Sequence, residues 1–476
     1  MTDTESETST APATAGGAAA WGRYGRRPAV LLALVALIDS VDRGILPGVL
    51  NEVQDDLGFS DTQMGALAAA FVVAGFLVAI PAGYLADRMR RTRIIAVVLA
   101  SWGAVSALNA AVTSYWQFLA VRVALGAGEA IDNPASSSLI ADYYRPEVRG
   151  RAFALQRVAP IVGGSVGLGL GGLVGTHLGW RWAFLLVGVP GSLLALAVWR
   201  TPEPERGESD RALTDGELPL PGAVGTVAEV AAAQVEASDA GPAPEARRAG
   251  FDALRDDLRA VFRIRTLRSL MIGTAIGSGA LQGMAFWATA FYERHTSLGN
   301  SGSAGVVAAL IALGPLVGTF VAGRLVDARR ERMVGFPMLL SGLGLLIGSG
   351  LLFVTFLPVP LWFRLPGQTA AVICIVGGLL PLAVMTTEVV PAALRGSAFS
   401  LTFFLASLGG ALSPLAVGAI ADRFEIVVDG EVKGDLAKAF LVVTPLVTAG
   451  ALVVLRGRRH VEADVAAAQA AIAGDL

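Results

Sequence analysis

Gly83-Tyr84-Leu85-Ala86-Asp87-Arg88 returns 240 residues later as Gly323-Arg324-Leu325-Val326-Asp327-Ala328. Each copy closes a long apolar run and opens onto arginines: Arg88, Arg90, Arg91 and Arg93 after the first, Arg329, Arg330 and Arg332 after the second. Arg149-Gly150-Arg151-Ala152-Phe153 returns in the same way as Arg395-Gly396-Ser397-Ala398-Phe399, 246 residues on, and Gly163-Gly164 falls on Gly409-Gly410 at that spacing. Separate motifs repeating at nearly one spacing mean a duplicated unit. Apolar units of this kind place a substrate site near the membrane midplane between the two copies.

Outward from these motifs, apolar spans read at 28–50, 61–85, 94–113, 116–142, 152–174, 180–199, 267–292, 303–326, 334–356, 368–390, 397–421 and 438–456. About 20 residues at 1.5 Å each cross a hydrocarbon core of about 30 Å. The expected fold is an all-α membrane protein of about twelve transmembrane helices in two six-helix halves, 28–200 and 267–456. Basic clusters follow the second, fourth, eighth and twelfth spans and precede the first, whereas Glu52 to Asp61 and Glu425 to Lys438 are acidic or mixed. The positive-inside rule therefore puts both termini in the cytoplasm. Residues 1–27 read as a disordered N-tail and 457–476 as a C-tail. Residues 201–250, rich in Ala, Glu, Pro and Gly, read as the flexible start of a cytoplasmic linker, 201–266. At 251–265, Phe251, Leu254, Leu258, Val261 and Phe262 recur at helical spacing. This segment reads either as an interfacial helix or as a linker helix packed on the bundle.

Composition agrees. Of 476 residues, 54% are hydrophobic and 16% charged, against about 25% charged in soluble domains. A net charge of −2 gives no reason to expect nucleic acid. Cys374 is the single cysteine, and the three histidines are scattered, so neither a disulfide nor a metal cage is expected. No signal peptide is expected from the polar residues 1–20. No cofactor is expected beyond a proton gradient. The expected partners are the lipid bilayer, protons and a small amphipathic substrate, with the protein a monomer. High Ala, Gly and Arg with little Lys suggests a bacterial inner membrane.

Charged side chains inside spans are expensive and mark pathways. Asp39, Asp42 and Arg43 lie in the first span, Arg122 and Glu129 in the fourth. Asp42 and Glu129 both come out about 21–22 Å from the basic end at 1.5 Å per residue. Asp39 and Arg43 are one turn apart and can pair. A carboxylate away from water binds a proton readily, and a nearby guanidinium reverses that. Asp42, Glu129 and Asp39 are thus the proton-coupling candidates, with Arg43 and Arg122 as movable partners or anion ligands. Further candidates to line a substrate pocket are Asn133, Arg157, Gln282, Phe286 and Trp287, with Phe291 and Tyr292. Asn133 either bonds substrate or braces the Pro134 kink, and aromatics at helical spacing either line a pocket or pack. Glu388, near the basic end of the tenth span, is a weaker candidate. Gly83, Asp87, Arg88, Arg91, Gly323 and Asp327 read as gating elements: the glycines permit close approach, and the aspartates can sit at a helix N-terminus or pair with an arginine.

Two soluble-enzyme patterns are refused. Gly163-Gly164-Ser165-Val166-Gly167 matches a nucleophile elbow, and Gly167-Leu168-Gly169-Leu170-Gly171-Gly172 a dinucleotide fingerprint. Both need a strand turning into a helix, and both lie in one apolar span where close helix packing explains the glycines. The chain is not expected to be an enzyme.

Gly83-x-Leu85-x-Asp87-Arg88-x-Arg90-Arg91 resembles the loop motif of the major facilitator superfamily. Asp42-Arg43, Arg122-x-x-x-Gly126-x-Gly128-Glu129-Ala130, Leu139 to Tyr144 and Gly179 to Phe184 resemble its Spinster-like branch. The resemblance implies alternating access, a latch at the cytoplasmic side, and coupling roles for Asp42, Arg43, Arg122 and Glu129. It also implies a lysophospholipid- or sphingolipid-like cargo. The branch commonly has Asn where this chain has Asp39. The expected function is therefore proton-coupled transport of an amphipathic anion. The alternatives are a proton-driven multidrug efflux antiporter, whose motif the Gly-rich fifth span resembles, and a small organic-anion symporter. A passive channel or scramblase would carry a continuous polar groove instead of charges at one depth.

Overall fold

The computed structural model describes residues 21, 23–209, 258–329, 333–391, 394–428 and 430–474; the side chains at 80–88, 130–134 and 471–474 are outside that description. The first half comprises α1 (Arg27–Gly48), α2 (Leu50–Leu57), α3 (Asp61–Arg88), α4 (Arg91–Leu108), α5 (Tyr115–Tyr143), α6 (Pro146–Leu178) and α7 (Trp180–Trp199). The second comprises α8 (Arg265–His295), α9 (Ser301–Ile311), α10 (Gly314–Arg329), α11 (Phe336–Phe356), α12 (Leu361–Val389) and α13 (Arg395–Ala421). A hairpin of β1 (Glu425–Val428) and β2 (Glu431–Gly434), then α14 (Leu436–Gly457) and α15 (Val461–Gly474), complete it. Among the described residues, nine segments are long and apolar enough to cross a membrane. Helices α1, α5 and α8, at 22, 29 and 31 residues, are as long; α1 and α5 carry the intramembrane charges, and α8 is less apolar with charges at both ends. Together they make the twelve spans that the sequence predicts.

Local chemistry sets the element ends. Proline opens α1 and α6 where no amide donor is needed. Asn300 caps α9 by accepting from the Ser303 amide at 2.8 Å, and Asp435 caps α14 through the Lys438 amide at 3.0 Å. Gly58 ends α2 at φ +68°, and Gly179 turns α6 into α7 at φ +90°.

Glycine decides the packing of α1 on α6. A Cβ on Gly44 would lie 2.6 Å from the Gly164 carbonyl oxygen, and one on Gly48 would lie 2.7 Å from that of Leu168. Backbones touch because nothing stands between them, as in membrane bundles generally. The Ser165 hydroxyl donates to the Ile161 carbonyl at 2.8 Å within its own helix. The two enzyme-like patterns are thus one helix-packing surface.

The halves meet along α3 with α13, α6 with α9, and α1 with α8. A Cβ on Gly65 of α3 would lie 2.5 Å from the Pro414 carbonyl of α13, and one on Gly305 of α9 would lie 2.8 Å from that of Leu168. The first two pairings are equivalent under the internal duplication. The end of the bundle bearing the hairpin is here the hairpin face; the end bearing residues 201–209 is the linker face.

Two expectations change, and the C-tail gains a structure. The eighth span is two helices, α9 and α10, interrupted at Ala312-Leu313 just before Gly314-Pro315, because proline cannot donate into the preceding turn. Most of the C-tail is ordered: α15 packs against α12, buries Val461, and Asp464 accepts from the Thr266 amide at 2.8 Å, capping the start of α8. The last residues of the N-tail are placed too, with Trp21 edge-on to Tyr144 and Tyr24 edge-on to Tyr143. Of the amphipathic segment 251–265, residues 258–263 are helical; Val261 is buried and Phe262 exposed, while Phe251 and Leu254 lie outside the described residues.

Candidate functional site

Helix α1 delivers two acidic residues to different environments. Asp39 and Arg43, four apart, share a face; Asp42 is turned away by about 100°. Arg43 binds Asp39 along the helix and reaches Glu129 of α5 at 2.8 Å. Its side chain is 40% exposed although it sits deep in the molecule, so it faces an internal cavity. Lipid is no alternative neighbour for a guanidinium at this depth.

Asp42 is enclosed, accepts the Ser106 hydroxyl proton from α4, and has Arg122 as its neighbouring positive charge. Arg122 is buried too, its guanidinium carbon 5.4 Å from the Phe118 ring centre and 5.5 Å from that of Phe184. One Asp42 oxygen and the Nε and Nη2 atoms of Arg122 have no hydrogen-bond partner. The five charges expected to act together therefore form two groups: a wet Asp39–Arg43–Glu129 triad and a dry Asp42–Arg122 pair. Arg122 does not reach the cavity in this state, which corrects its expected place among the anion ligands.

A pocket with an enclosed volume of about 190 Å³, widening into open space, lies mostly within the second half. Its walls are apolar, from Met284, Ala288 and Phe291 of α8, Ile311 and Pro315 at the α9–α10 break, and Phe356 and Phe440; Leu168 comes from the first half. Leu168 also packs on Gly44, next to Arg43. The polar lining is Gln282, Tyr292 and Gln368, with the Tyr292 hydroxyl donating to the Gln368 carbonyl oxygen. Gln282, Phe291 and Tyr292 thus line the pocket as expected. Trp287 does not: it is wholly enclosed, donating its indole N–H to Pro414 at 2.9 Å, and Phe286 packs edge-on against it. Arg157 is exposed on α6, and Glu388 is half-buried on α12. The side chain of Asn133 lies outside the described residues.

The hairpin face is sealed by a residue that the sequence reading did not single out. Arg294, at the end of α8, grips Asp61 of the first half in a two-pronged ion pair at 2.9 and 3.0 Å. It also donates to Asn51 at 3.1 Å, Gln54 at 2.6 Å and the Gly434 carbonyl at 3.1 Å, so all five N–H groups are engaged. Asp422, immediately after α13, accepts from the Asp61 and Thr62 amides at 3.1 and 2.8 Å, capping α3 from the other half. Lys433 in the hairpin binds Asp55 at 2.7 Å. The acidic run from Glu52 to Asp61 was a signal; its basic partner 233 residues away was not.

At the linker face Arg91 is buried and bound to Asp142 of α5, to Ser138 at 2.8 Å and to the Pro204 carbonyl at 3.2 Å. Glu203 accepts from the Arg91 amide at 2.8 Å and from Thr92 at 3.0 Å. Arg91 thus straps the start of the linker to its own half. Asp327 is exposed and Gly323 buried on α10, while the side chains of Gly83, Asp87 and Arg88 are outside the described residues.

The sequence model of the Major Facilitator Superfamily matches residues 32–414. The chain is 31% identical over 185 residues to protein spinster of Drosophila melanogaster, covering 38% of this chain and 30% of that one. It is 30% identical over 167 residues to a probable L-galactonate transporter of Escherichia coli, covering 35% and 37%. The matched stretch thus spans about a third of each of these relatives. In fold it is similar to the crystal structure of a bacterial homolog of the human lysosomal transporter Spinster, inward-facing and unoccupied, at TM-score 0.71 and 23% identity over 93% of this chain and 97% of that one.

Proposed function

The chain belongs to the major facilitator superfamily, a membrane transporter rather than an enzyme, and from that premise we propose that it carries an amphipathic anion, lysophospholipid-like, coupled to protons. One observation carries the reading: Arg43 stands in an internal cavity between two carboxylates, Asp39 and Glu129, and Leu168, packed on the adjacent Gly44, lines an apolar pocket. An anionic head group competes with Glu129 for Arg43. The displaced carboxylate, away from bulk water, then takes a proton. Anion binding and protonation therefore favour each other, which by linkage makes the coupling a symport. The apolar part of the substrate lies along Leu168 into the pocket. Similarity to spinster proteins supports the lipid-like cargo.

With the basic clusters in the cytoplasm of a bacterial inner membrane, the linker face is cytoplasmic and the sealed hairpin face external. Alternating access then requires the Arg294 seal to break.

Binding tests the site. Arg43→Ala is expected to weaken binding of a lysophospholipid at least about tenfold, the order of one charge-assisted hydrogen bond, and Arg43→Lys to retain part of it. Proton uptake on binding, read with a pH dye in weak buffer, should vanish in Glu129→Gln. Unchanged affinity in Arg43→Ala would sink the anion role. A second reading, a small organic-anion symporter, is favoured by the probable L-galactonate transporter among the relatives. It predicts that a short polar anion displaces the lysolipid from Arg43.

A further inference from the structure

Two carboxyl groups from opposite halves meet at the hairpin face without an arginine between them. Glu52 lies on α2, beyond the end of the first span, and Glu293 on α8. The hydroxyl of Ser301, the first residue of α9, donates to Glu293 Oε2 at 2.5 Å and also lies beside the Glu52 carboxyl. A hydroxyl has one proton to give. With that proton committed to Glu293, Glu52 can bond to Ser301 only by donating, which requires Glu52 to be protonated.

The surroundings agree. Glu52 Oε2 is shut from solvent with no hydrogen-bond partner, and Oε1 presses on α6, 3.1 Å from where a Cβ of Gly175 would stand. The neighbouring charges, Glu293 from α8 and Asp55 from its own helix, are both negative. The cations nearby are engaged elsewhere: Arg294 with Asp61, Asn51 and Gln54, and Lys433 with Asp55. Burial, with smaller contributions from Glu293 and Asp55, pushes the Glu52 carboxyl up to about 7; the Ser301 hydroxyl opposes this only by turning its one proton away from Glu293.

We propose that Glu52, Ser301 and Glu293 form a proton-sensitive latch: Glu52 protonated holds the hairpin face shut, and Glu52 ionised releases it. The latch is separate from the Asp39–Arg43–Glu129 triad and stands whether or not that triad moves protons. Separating the halves would hydrate Glu52 and return it to an ordinary carboxylate. A group whose proton affinity is higher in the closed state stabilises that state when protonated. Its contribution is complete below the ordinary carboxylate range and is lost as pH rises through about 7.

The test uses the full chain in lipid nanodiscs with Cys374→Ser and spin labels at Leu178→Cys and Val427→Cys. Both sites are exposed, on opposite halves at the hairpin face. Double electron–electron resonance then reads the closed fraction from pH 5 to pH 8, with and without Glu129→Gln. The expected result is a closed-to-open ratio that falls at least about tenfold from pH 5 and levels off above about 7, in both backgrounds. Glu52→Gln should stay closed throughout, and Glu293→Gln, which removes the like charge, should move the levelling-off to lower pH. The latch is overturned if the ratio does not change with pH. It is equally overturned if the titration survives in Glu52→Gln or disappears in Glu129→Gln alone. Should Glu52→Gln fail to fold, an unmoved levelling-off in Glu293→Gln also overturns it.

Discussion

At the scale of single residues, the account turns on which face of a helix each charge takes. Asp39, Asp42, Arg43, Arg122 and Glu129 were legible because charge inside an apolar span is conspicuous. Their division into two groups was only half legible. The four-residue step from Asp39 to Arg43 announces their pairing, but depth along α5 does not say that Arg122 sits between Phe118 and Phe184. Arg294 was not legible at all. It closes a helix like any interfacial cation, and its meaning comes from Asp61 in the other half. Arg294→Ala would leave Asp61, 2% exposed, without its counter-ion. Breaking a buried pair in this way costs about 3–5 kcal/mol. Thermal unfolding in detergent should fall accordingly, and the label pair at Leu178 and Val427 should move apart even at pH 5. An unchanged distance would show that the seal lies elsewhere.

Elements explain why glycine is abundant in this chain. Gly44 and Gly48 let α1 lie against the backbone of α6, and that contact fixes where Arg43 emerges. Gly48→Val would put side-chain atoms into the Leu168 carbonyl and should destabilise the protein by about 1–3 kcal/mol, the usual range for overpacking. Gly164→Ala, in the same glycine-rich stretch, meets nothing within 4 Å. It should change stability by no more than about 1 kcal/mol, and in the favourable direction, since alanine is the better helix former. Chemical or thermal denaturation of the two variants side by side checks the contrast. Equal losses would mean that the close approach of α1 and α6 is not what the glycines serve. The break between α9 and α10 was marked by Gly314-Pro315. Hydropathy hid it, because the run stays apolar across the interruption.

The whole molecule was the most legible scale. Two motif pairs at nearly constant spacing announce two related halves, and the structure pairs α3 with α13 and α6 with α9 as that duplication requires. The conformation could not be read from sequence, since every state of an alternating-access cycle shares it. Only the placed contacts of Arg294, Asp422 and Lys433 reveal a closed hairpin face. The latch motif illustrates the same limit. Its residues are easy to find, but Arg91 binds Asp142 of its own half and Glu203 of the linker in this state, and no spacing rule says so.

Substrate coupling belongs to this largest scale and is tested by flux. The measurement is uptake of a labelled lysophospholipid into proteoliposomes with and without an imposed pH gradient, for the wild-type chain and Glu129→Gln. The account predicts accumulation that follows the inward proton gradient in the wild-type chain and loses that dependence in Glu129→Gln. Equal wild-type flux with and without the gradient, or a Glu129→Gln variant that still accumulates substrate against its concentration, would contradict it.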